Sequence, residues 1–190
     1  MGSATSRPVG RGVALSRRGC VGVVAAVAVL ALGLVAVVGV ASPASAAAGS
    51  TGWSQVSAGD LHTCAIAETA GAAYCWGANG DGQLGNNDLG VGSGVPVAVE
   101  VPGGVTGWSQ ITAGGRHTCA VAEVSGAAYC WGYNDKGQLG NNDPGVGSGV
   151  PVAVEVPVGV TGWSQITAGG YHTCANVATA GGGFCWGVHE

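Results

Sequence analysis

After about its first fifty residues, the chain alternates hydrophobic and polar positions over short segments that are separated by glycine-rich turns. Alternation over a few residues is typical of a half-buried strand, and clusters of Gly, Asn and Asp between such segments indicate turns. In the first stretch that has this pattern, we predict strands at 53–57, 62–67, 71–76 and 95–101. A tight two-residue loop at Thr69-Ala70 is expected between the second and the third strand.

The same pattern recurs with a period of 55 residues. Residues 51–105 align with residues 106–160 without a gap, and 43 of the 55 positions are identical. A third copy occupies residues 161–190 and is therefore partial. A period of this size indicates supersecondary units that stack on their neighbours, and four strands per copy is the number found in a β-propeller blade.

Two motifs in each copy point to a family. In the second copy they are GGRHTCA at 114–120 and YCWGYNDKGQLG at 129–140, and matching segments occur in the other two copies. These motifs resemble the RCC1 repeat, the blade unit of regulator-of-chromosome-condensation proteins. The resemblance covers residues 51–190, which is the whole repeat region.

The resemblance implies an all-β fold made of propeller blades. Known members of the family form seven-bladed propellers, and their roles include guanine-nucleotide exchange, inhibition of secreted enzymes, and scaffolds without an assigned function. Two repeats of 55 residues and part of a third make an incomplete propeller, because a closed ring has at least four blades. Three explanations stay open: a truncated gene product, an open stack with exposed edges, or a ring assembled from several chains.

The N-terminal segment has a different composition from the repeats. Four of the six basic residues precede residue 20, and residues 20–41 are uncharged and mostly Val, Ala, Leu and Gly. A basic segment, an apolar segment and then small residues are typical of a secretory signal peptide. We therefore predict a signal helix within residues 1–48, with cleavage near Ala46 or Ala48, and a secreted region at 49–190.

An uncleaved membrane anchor is the alternative, because the apolar run is just long enough to span a bilayer. The sequence leaves open whether export uses the general or the twin-arginine route.

The charge of the repeat region excludes two classes of partner. Ten acidic residues stand against two cations, Arg116 and Lys136, which gives a formal charge of −8. Binding to nucleic acid by phosphate neutralisation needs clustered Lys and Arg, so no nucleic-acid partner is expected. The same deficit of cations argues against docking to anionic lipid, so no membrane contact is expected after signal cleavage.

The cysteines predict a disulfide framework. Six remain when Cys20 is set aside, two in each copy, and repeat symmetry pairs Cys64 with Cys75, Cys119 with Cys130, and Cys174 with Cys185. The short hairpin loop places both members of each pair directly opposite each other, within the span of a disulfide, whereas a one-residue slip would separate them. Zinc bound by these cysteines and the neighbouring histidine is the alternative, which the spacing and the exported context disfavour. We predict no metal and no cofactor.

The candidate catalytic side chains do not form a common arrangement. His62, His117 and His172 recur once per copy, which indicates a structural role in the blade motif. Glutamates recur at positions 68 and 123 and at 100 and 155, and paired carboxylates are what a glycoside hydrolase requires. The third copy has Ala178 at the first of these positions. We therefore predict that the protein has no catalytic residues and is not an enzyme, with an extracellular hydrolase as the least favoured alternative.

The few positions at which the copies differ indicate a candidate binding surface. They concentrate just before the repeated histidine and just after the Trp-Gly pair, on predicted loops, where binding groups are common. Tyr and Arg are enriched at interface hot spots. The candidate binding residues are Leu61, Arg116, Tyr133, Lys136 and Tyr171. The alternative is that these positions differ only through sequence drift, on loops that tolerate substitution.

Together these patterns predict a secreted, non-enzymatic RCC1-repeat module that binds an unknown protein partner. A structural protein of the cell envelope that self-associates is the second hypothesis.

Overall fold

The computed structural model describes residues 52–179 and 181–188, and every regular element within those ranges is a β-strand. The strands form three antiparallel sheets, called blades here, in which each strand pairs with the next along the chain. Blade 1 contains β1 (Trp53–Ala58), β2 (His62–Ala67), β3 (Ala73–Gly77) and β4 (Ser93–Ala98). Blade 2 contains β5 (Trp108–Ala113), β6 (His117–Ala122), β7 (Ala128–Gly132) and β8 (Ser148–Ala153). Blade 3 contains β9 (Trp163–Ala168), β10 (His172–Val177) and β11 (Gly183–Gly187).

The all-β fold predicted from the sequence is confirmed, with small differences at strand ends. β3 begins at Ala73 instead of residue 71, and β4 covers Ser93–Ala98 instead of 95–101. Pro96 lies inside β4, which is possible because β4 is an edge strand and proline there removes no ladder hydrogen bond. Val99 lies beyond the strand end and is buried.

The β2–β3 hairpin has the predicted register but a longer loop. The Ala67 amide donates to the Ala72 carbonyl at 2.9 Å, so the turn comprises residues 68–71 and not Thr69-Ala70 alone. Ala70 and Gly71 carry the positive φ angles, 66° and 58°. One added residue on each side of the loop leaves the cross-strand partners unchanged, and Cys64 still faces Cys75.

A disulfide joins the two cysteines of each blade. The Cα atoms of Cys64 and Cys75 are 4.1 Å apart, and Cys119–Cys130 and Cys174–Cys185 repeat the arrangement. The first two disulfides are fully buried, whereas Cys185 in blade 3 is exposed. Each bridge therefore ties a hairpin, and two of the three also lie in the protein core.

The hydrophobic core lies between blades. One cluster combines Cys64, Ile66 and Leu84 of blade 1 with Trp108 and Trp131 of blade 2, and the same positions build a second cluster between blades 2 and 3. Burial of this apolar surface drives the stacking of blades, because no single sheet could cover its own faces. Four of the six tryptophans pack between blades, whereas Trp53 and Trp76 lie on the side of blade 1 away from blade 2.

The family motifs meet at one buried carbonyl in each interface. The Gln83 carbonyl of blade 1 accepts hydrogen bonds from the Thr118 hydroxyl at 2.8 Å and from Trp131 Nε1 at 3.0 Å. His62 Nε2 lies 2.7 Å from the same hydroxyl. The Thr118 proton already goes to a carbonyl, which can only accept, so His62 Nε2 donates and the imidazole is the Nε2–H tautomer.

Side chains of one blade also bind the backbone of the next. The Gln55 amide both donates to the Ile111 carbonyl, at 3.0 Å, and accepts from the Ile111 amide, at 2.9 Å. Ser57 Oγ accepts from the Ala113 amide at 2.9 Å. Between blades 2 and 3, Gln110 Oε1 accepts from the Ile166 amide and Thr112 Oγ1 accepts from the Ala168 amide. These contacts fix the register of one blade against the next.

Gly114 allows the closest backbone approach between blades 2 and 3. A Cβ atom there would lie 2.5 Å from the Gly169 carbonyl oxygen and 2.7 Å from Cε1 of His117. Neither neighbour is the free end of a flexible side chain, so the interface requires glycine at this position.

The predicted signal peptide, with its cleavage near Ala46 or Ala48, lies outside the residues that the structure describes. Within the described ranges there is no helix long and apolar enough to cross a membrane.

Candidate functional site

The two groups of variable loop positions are neighbours in every blade. The Leu61 carbonyl accepts from the Ala78 amide at 2.9 Å, and the Arg116 carbonyl accepts from the Tyr133 amide at 3.0 Å. The Tyr171 carbonyl accepts from the Val188 amide in the same way. The residue before the histidine is thus held beside the residue after Trp-Gly, because β2 and β3, and their counterparts, pair up to their ends.

Four of these loop side chains form one cluster that extends across the three blades. We call Asp81, Arg116, Tyr133 and Tyr171 the rim cluster. The Arg116 guanidinium lies 2.7 Å from an Asp81 carboxylate oxygen and 4.9 Å from the centre of the Tyr133 ring. The Tyr133 and Tyr171 ring centres are 6.2 Å apart in an edge-to-face arrangement. Asp81 belongs to blade 1, Arg116 and Tyr133 to blade 2, and Tyr171 to blade 3.

The rim cluster is accessible and partly ordered by its own contacts. The Arg116 side chain is 42% exposed and Tyr171 is 49% exposed. Tyr133 donates its hydroxyl proton to Asp135 at 2.7 Å, and this hydrogen bond is the main reason why the pKa of Tyr133 is raised above its ordinary value. An exposed ion pair or cation–π contact contributes at most about 1 kcal/mol, so the rim cluster is not essential for the fold.

The structure brings together three of the five predicted binding residues. Leu61 is exposed on blade 1, and the side chain of Lys136 has no hydrogen bond or ion pair within residues 52–179 and 181–188. Two acidic residues were not among the predicted binding residues: Asp81, which belongs to the rim cluster, and Asp135, which accepts from Tyr133. Both occupy positions at which the copies differ, which is the signal that could have identified them.

The repeated histidines have structural partners. His62 and His117 are buried and contact Thr118 and Thr173 of the following blade, at 2.7 and 2.9 Å. The pKa of each imidazole is lowered to about 4, mainly by burial, and for His117 the charges of the neighbouring His62 and His172 contribute to that shift. Both are therefore neutral at pH 7 and link blades, as predicted for a structural histidine.

One pair of repeated glutamates, Glu68 and Glu123, lies at the hairpin turns, whereas Glu100 and Glu155 follow β4 and β8. Glu68 and Glu123 directly follow β2 and β6 and line an open groove between blades 1 and 2. The structure has no counterpart of this pair in blade 3, where Ala178 takes the position. Among the described residues, no three His, Cys, Asp or Glu side chains come together as a metal site would require.

Comparison with known proteins identifies the repeats. Two profiles described as the regulator of chromosome condensation (RCC1) repeat match the chain, one at residues 70–121 and 125–175, the other at 53–83 and 108–138. The matched residues include the motifs that meet at Gln83 and Thr118.

Individual relatives extend well beyond the matched region. A probable human E3 ubiquitin-protein ligase, HERC6, is 37% identical over 133 residues, which is 67% of this chain and 12% of that protein. The crystal structure of human WBSCR16 is similar with a TM-score of 0.62 and 26% identity, over 70% of this chain and 32% of that one. Yeast RCC1 (Prp20), solved bound to Kap60, has a TM-score of 0.59 at 22% identity, over 71% and 32%, and shows the fold alone. This chain spans between 8% and 12% of the first ligases and about a third of those solved structures.

Proposed function

The chain belongs to the RCC1 repeat family, and we propose that it is an exported, non-enzymatic module that binds a protein through the rim cluster. The observation that carries the proposal is the convergence of variable positions from three blades on one exposed group, in which a guanidinium stacks on a tyrosine. The fold places these loops side by side in every blade, so the support comes from the residue types: Arg and Tyr in contact and partly immobilised are typical of interface hot spots.

Two further features of the repeat region support a protein ligand that binds outside the family motifs. The family motifs are buried in the contacts between blades, so the motif residues are not available to a partner. The excess of acidic residues in the repeat region favours a partner with a basic surface, because complementary charge speeds association.

Export is supported by the order of residues in the N-terminal segment and by the disulfide in each blade. Disulfides persist in oxidising compartments. Mass spectrometry of the protein from an exporting host tests this part: we expect a new N-terminus near residue 47 or 49 and no free thiol. Recovery of the intact chain in the membrane fraction would instead support the anchor.

The binding proposal is tested by quantitative cross-linking capture with the processed protein as bait. Wild type is compared with an Arg116→Ala, Tyr133→Ala double variant and with a matched control, Val101→Ala, which changes an exposed side chain outside the rim cluster. We expect a partner that wild type and the control retain and that the double variant loses by at least about tenfold, the effect of one hot-spot residue. Equal capture by all three proteins would refute a role of the rim cluster.

A further inference from the structure

An open groove separates the loops of blades 1 and 2 beside the rim cluster. We call it the rim groove, and its walls are formed by Gly80, Asp81, Leu89, Tyr133 and Asp135. Both blades around it have all four strands. Its volume is about 300 Å³, which is at the lower end of the range of about 300–1,000 Å³ found for small-molecule sites. The rim groove therefore has the size to take one side chain of a larger ligand.

The walls of the rim groove differ between the repeat copies. Every lining residue except Asn134 and Gly147 occupies a position at which the first two copies differ. Asn134 is buried and binds backbone groups of its own loop, which is a structural role. The counterpart of Asp81 in the second copy is a cation, Lys136. The composition of the walls is thus particular to the junction of blades 1 and 2, and the repeat fold does not require it.

The rim groove carries a negative charge that no cation neutralises. Asp81 forms an ion pair with Arg116 at 2.7 Å, so these two charges compensate each other. Asp135 accepts from the Tyr133 hydroxyl at 2.7 Å, and this donor is neutral. Lys136 does not line the groove and forms no ion pair within residues 52–179 and 181–188. A carboxylate has about four acceptor positions, so Asp135 can bind a further, cationic donor.

An exposed leucine forms the apolar wall. Leu89 is 64% exposed, and its Cδ2 atom would lie 2.7 Å from a Cβ atom at Gly149, so its side chain rests against the backbone of blade 2. A Cβ atom at Gly80 would meet no other atom within 4 Å, which shows that the groove is unfilled there. An apolar wall beside a carboxylate fits a side chain that has a long apolar stem and a cationic end.

We propose that the rim groove binds the side chain of an arginine that a protein partner presents. The guanidinium complements the charge of Asp135, and the stem covers Leu89. Arginine fits these walls better than lysine, because a guanidinium is planar, less strongly hydrated than an ammonium group, and able to contact an aromatic ring such as that of Tyr133. The inference rests on the proposed function, since it assigns one contact to the partner of the rim cluster.

NMR with a single-residue probe tests the arginine site. N-acetyl-arginine methylamide is added to ¹⁵N-labelled protein from the exporting host. N-acetyl-citrulline methylamide, which has nearly the same shape and no charge, is the control probe. We expect saturable changes in the backbone amide shifts of Gly80, Asp135 and Gly147, with a millimolar dissociation constant because one side chain makes few contacts. Equal changes with the citrulline probe, or no saturable change in the rim groove, would overturn the proposal.

Two variants alter the rim groove by different means. Gly80→Lys places a cation inside it and should abolish saturable binding of the arginine probe. Asp135→Asn removes the charge but keeps an acceptor for Tyr133, and it should weaken binding about three- to fivefold, the effect of one exposed ion pair. The matched controls are Gly103→Lys and Glu100→Gln, at exposed positions after β4, and both should bind the probe as wild type does.

The glycine variants are matched in structure as well as in charge. A Cβ atom at Gly80 or at Gly103 meets no neighbour within 4 Å, and the second copy has a side chain at both positions, Asp135 and Val158. Both variants should therefore keep the wild-type thermal transition. Equal weakening by Gly80→Lys and Gly103→Lys would indicate general attraction to the acidic protein and would overturn the proposal.

Failure of the arginine contact can be distinguished from failure of the proposed function. A captured partner that the Arg116→Ala, Tyr133→Ala double variant loses, but that Gly80→Lys binds as strongly as wild type, would overturn the arginine contact and leave the rim cluster as the binding surface. Saturable binding of the arginine probe, without any partner that depends on the rim cluster, would refute the proposed function and leave the arginine site in place.

Discussion

Replacing Thr118 by valine removes one hydroxyl from the centre of the interface between blades 1 and 2 and leaves the shape of the side chain almost unchanged. The hydroxyl donates to the Gln83 carbonyl at 2.8 Å and accepts from His62 at 2.7 Å. The Gln83 carbonyl retains its second hydrogen bond, from Trp131 at 3.0 Å. The main loss therefore falls on His62.

His62 has no alternative partner after the substitution. Its ring is 3% exposed, and its Nδ1 atom has no hydrogen-bond partner among the described residues. Whichever nitrogen carries the proton, a buried N–H group would be left without an acceptor. Such an orphaned group costs about 1–3 kcal/mol, so we expect Thr118→Val to lower the free energy of unfolding by about 2 kcal/mol.

The repeat itself supplies the control. Thr63 occupies the same position in blade 1, is half-buried, and has no side-chain hydrogen bond within residues 52–179 and 181–188. Thr63→Val should change the free energy of unfolding by less than about 0.5 kcal/mol. Urea denaturation at pH 7 with intact disulfides, followed by tryptophan fluorescence, measures both. Equal effects of the two substitutions would refute the assignment of a stabilising network to the blade interface.

Three further predictions concern pH, redox state and backbone contact. The pKa of His117 is lowered to about 4, mainly by burial, so the unfolded chain binds a proton at this residue before the folded chain does as pH falls. The free energy of unfolding should therefore decrease by about 2 kcal/mol for each histidine with this lowered pKa when the pH falls from 7.5 to 5. Urea titrations at the two pH values test this, and an increase in stability on acidification would contradict it. When dilute protein is treated with limiting reductant, Cys174–Cys185 should open first, because the other two disulfides are fully buried. Maleimide labelling and peptide mapping identify the cysteines that have opened, and uniform labelling of all three pairs would exclude this order. In thermal unfolding, Gly114→Ala should destabilise the fold by about 1–3 kcal/mol, whereas Gly94→Ala should not, because Gly94 faces open space. Equal unfolding transitions of the two variants would refute the close backbone approach at Gly114.

The repeated part of the structure could be predicted because the same constraint acts in each copy. Alternation placed the strands to within a few residues, and the paired cysteines determined the hairpin register, since only one alignment brings Cys64 opposite Cys75 in every copy. The register is robust to the error in loop length because residues were added equally on both sides of the turn. Local patterns of this kind depend on neighbours within one blade.

Contacts between blades could not be predicted, because nothing in the sequence specifies how far one sheet is rotated against the next. Arg116 was expected at a surface, but its ion pair with Asp81 depends on a loop from the preceding blade that lies 35 residues earlier in the chain. For the same reason the sequence does not distinguish Trp53 from Trp108: their sequence contexts are equal, and only the stacking order leaves Trp53 36% exposed and Trp108 3% exposed.

Repeated and variable positions are under different constraints, and this limits which positions can determine selectivity for a ligand. A motif residue such as Thr118 or Gln83 has every polar group engaged in joining blades, so a change there would weaken stacking before it altered a ligand contact. The variable positions just before the repeated histidine and just after Trp-Gly are free of that requirement because they lie beyond the strand ends. Some strand positions vary as well, and Asn176 does so at a position that is buried in the core in both preceding blades. Asn176 itself is exposed and its amide donates to Gln165, so this polar side chain is not buried without a hydrogen-bond partner.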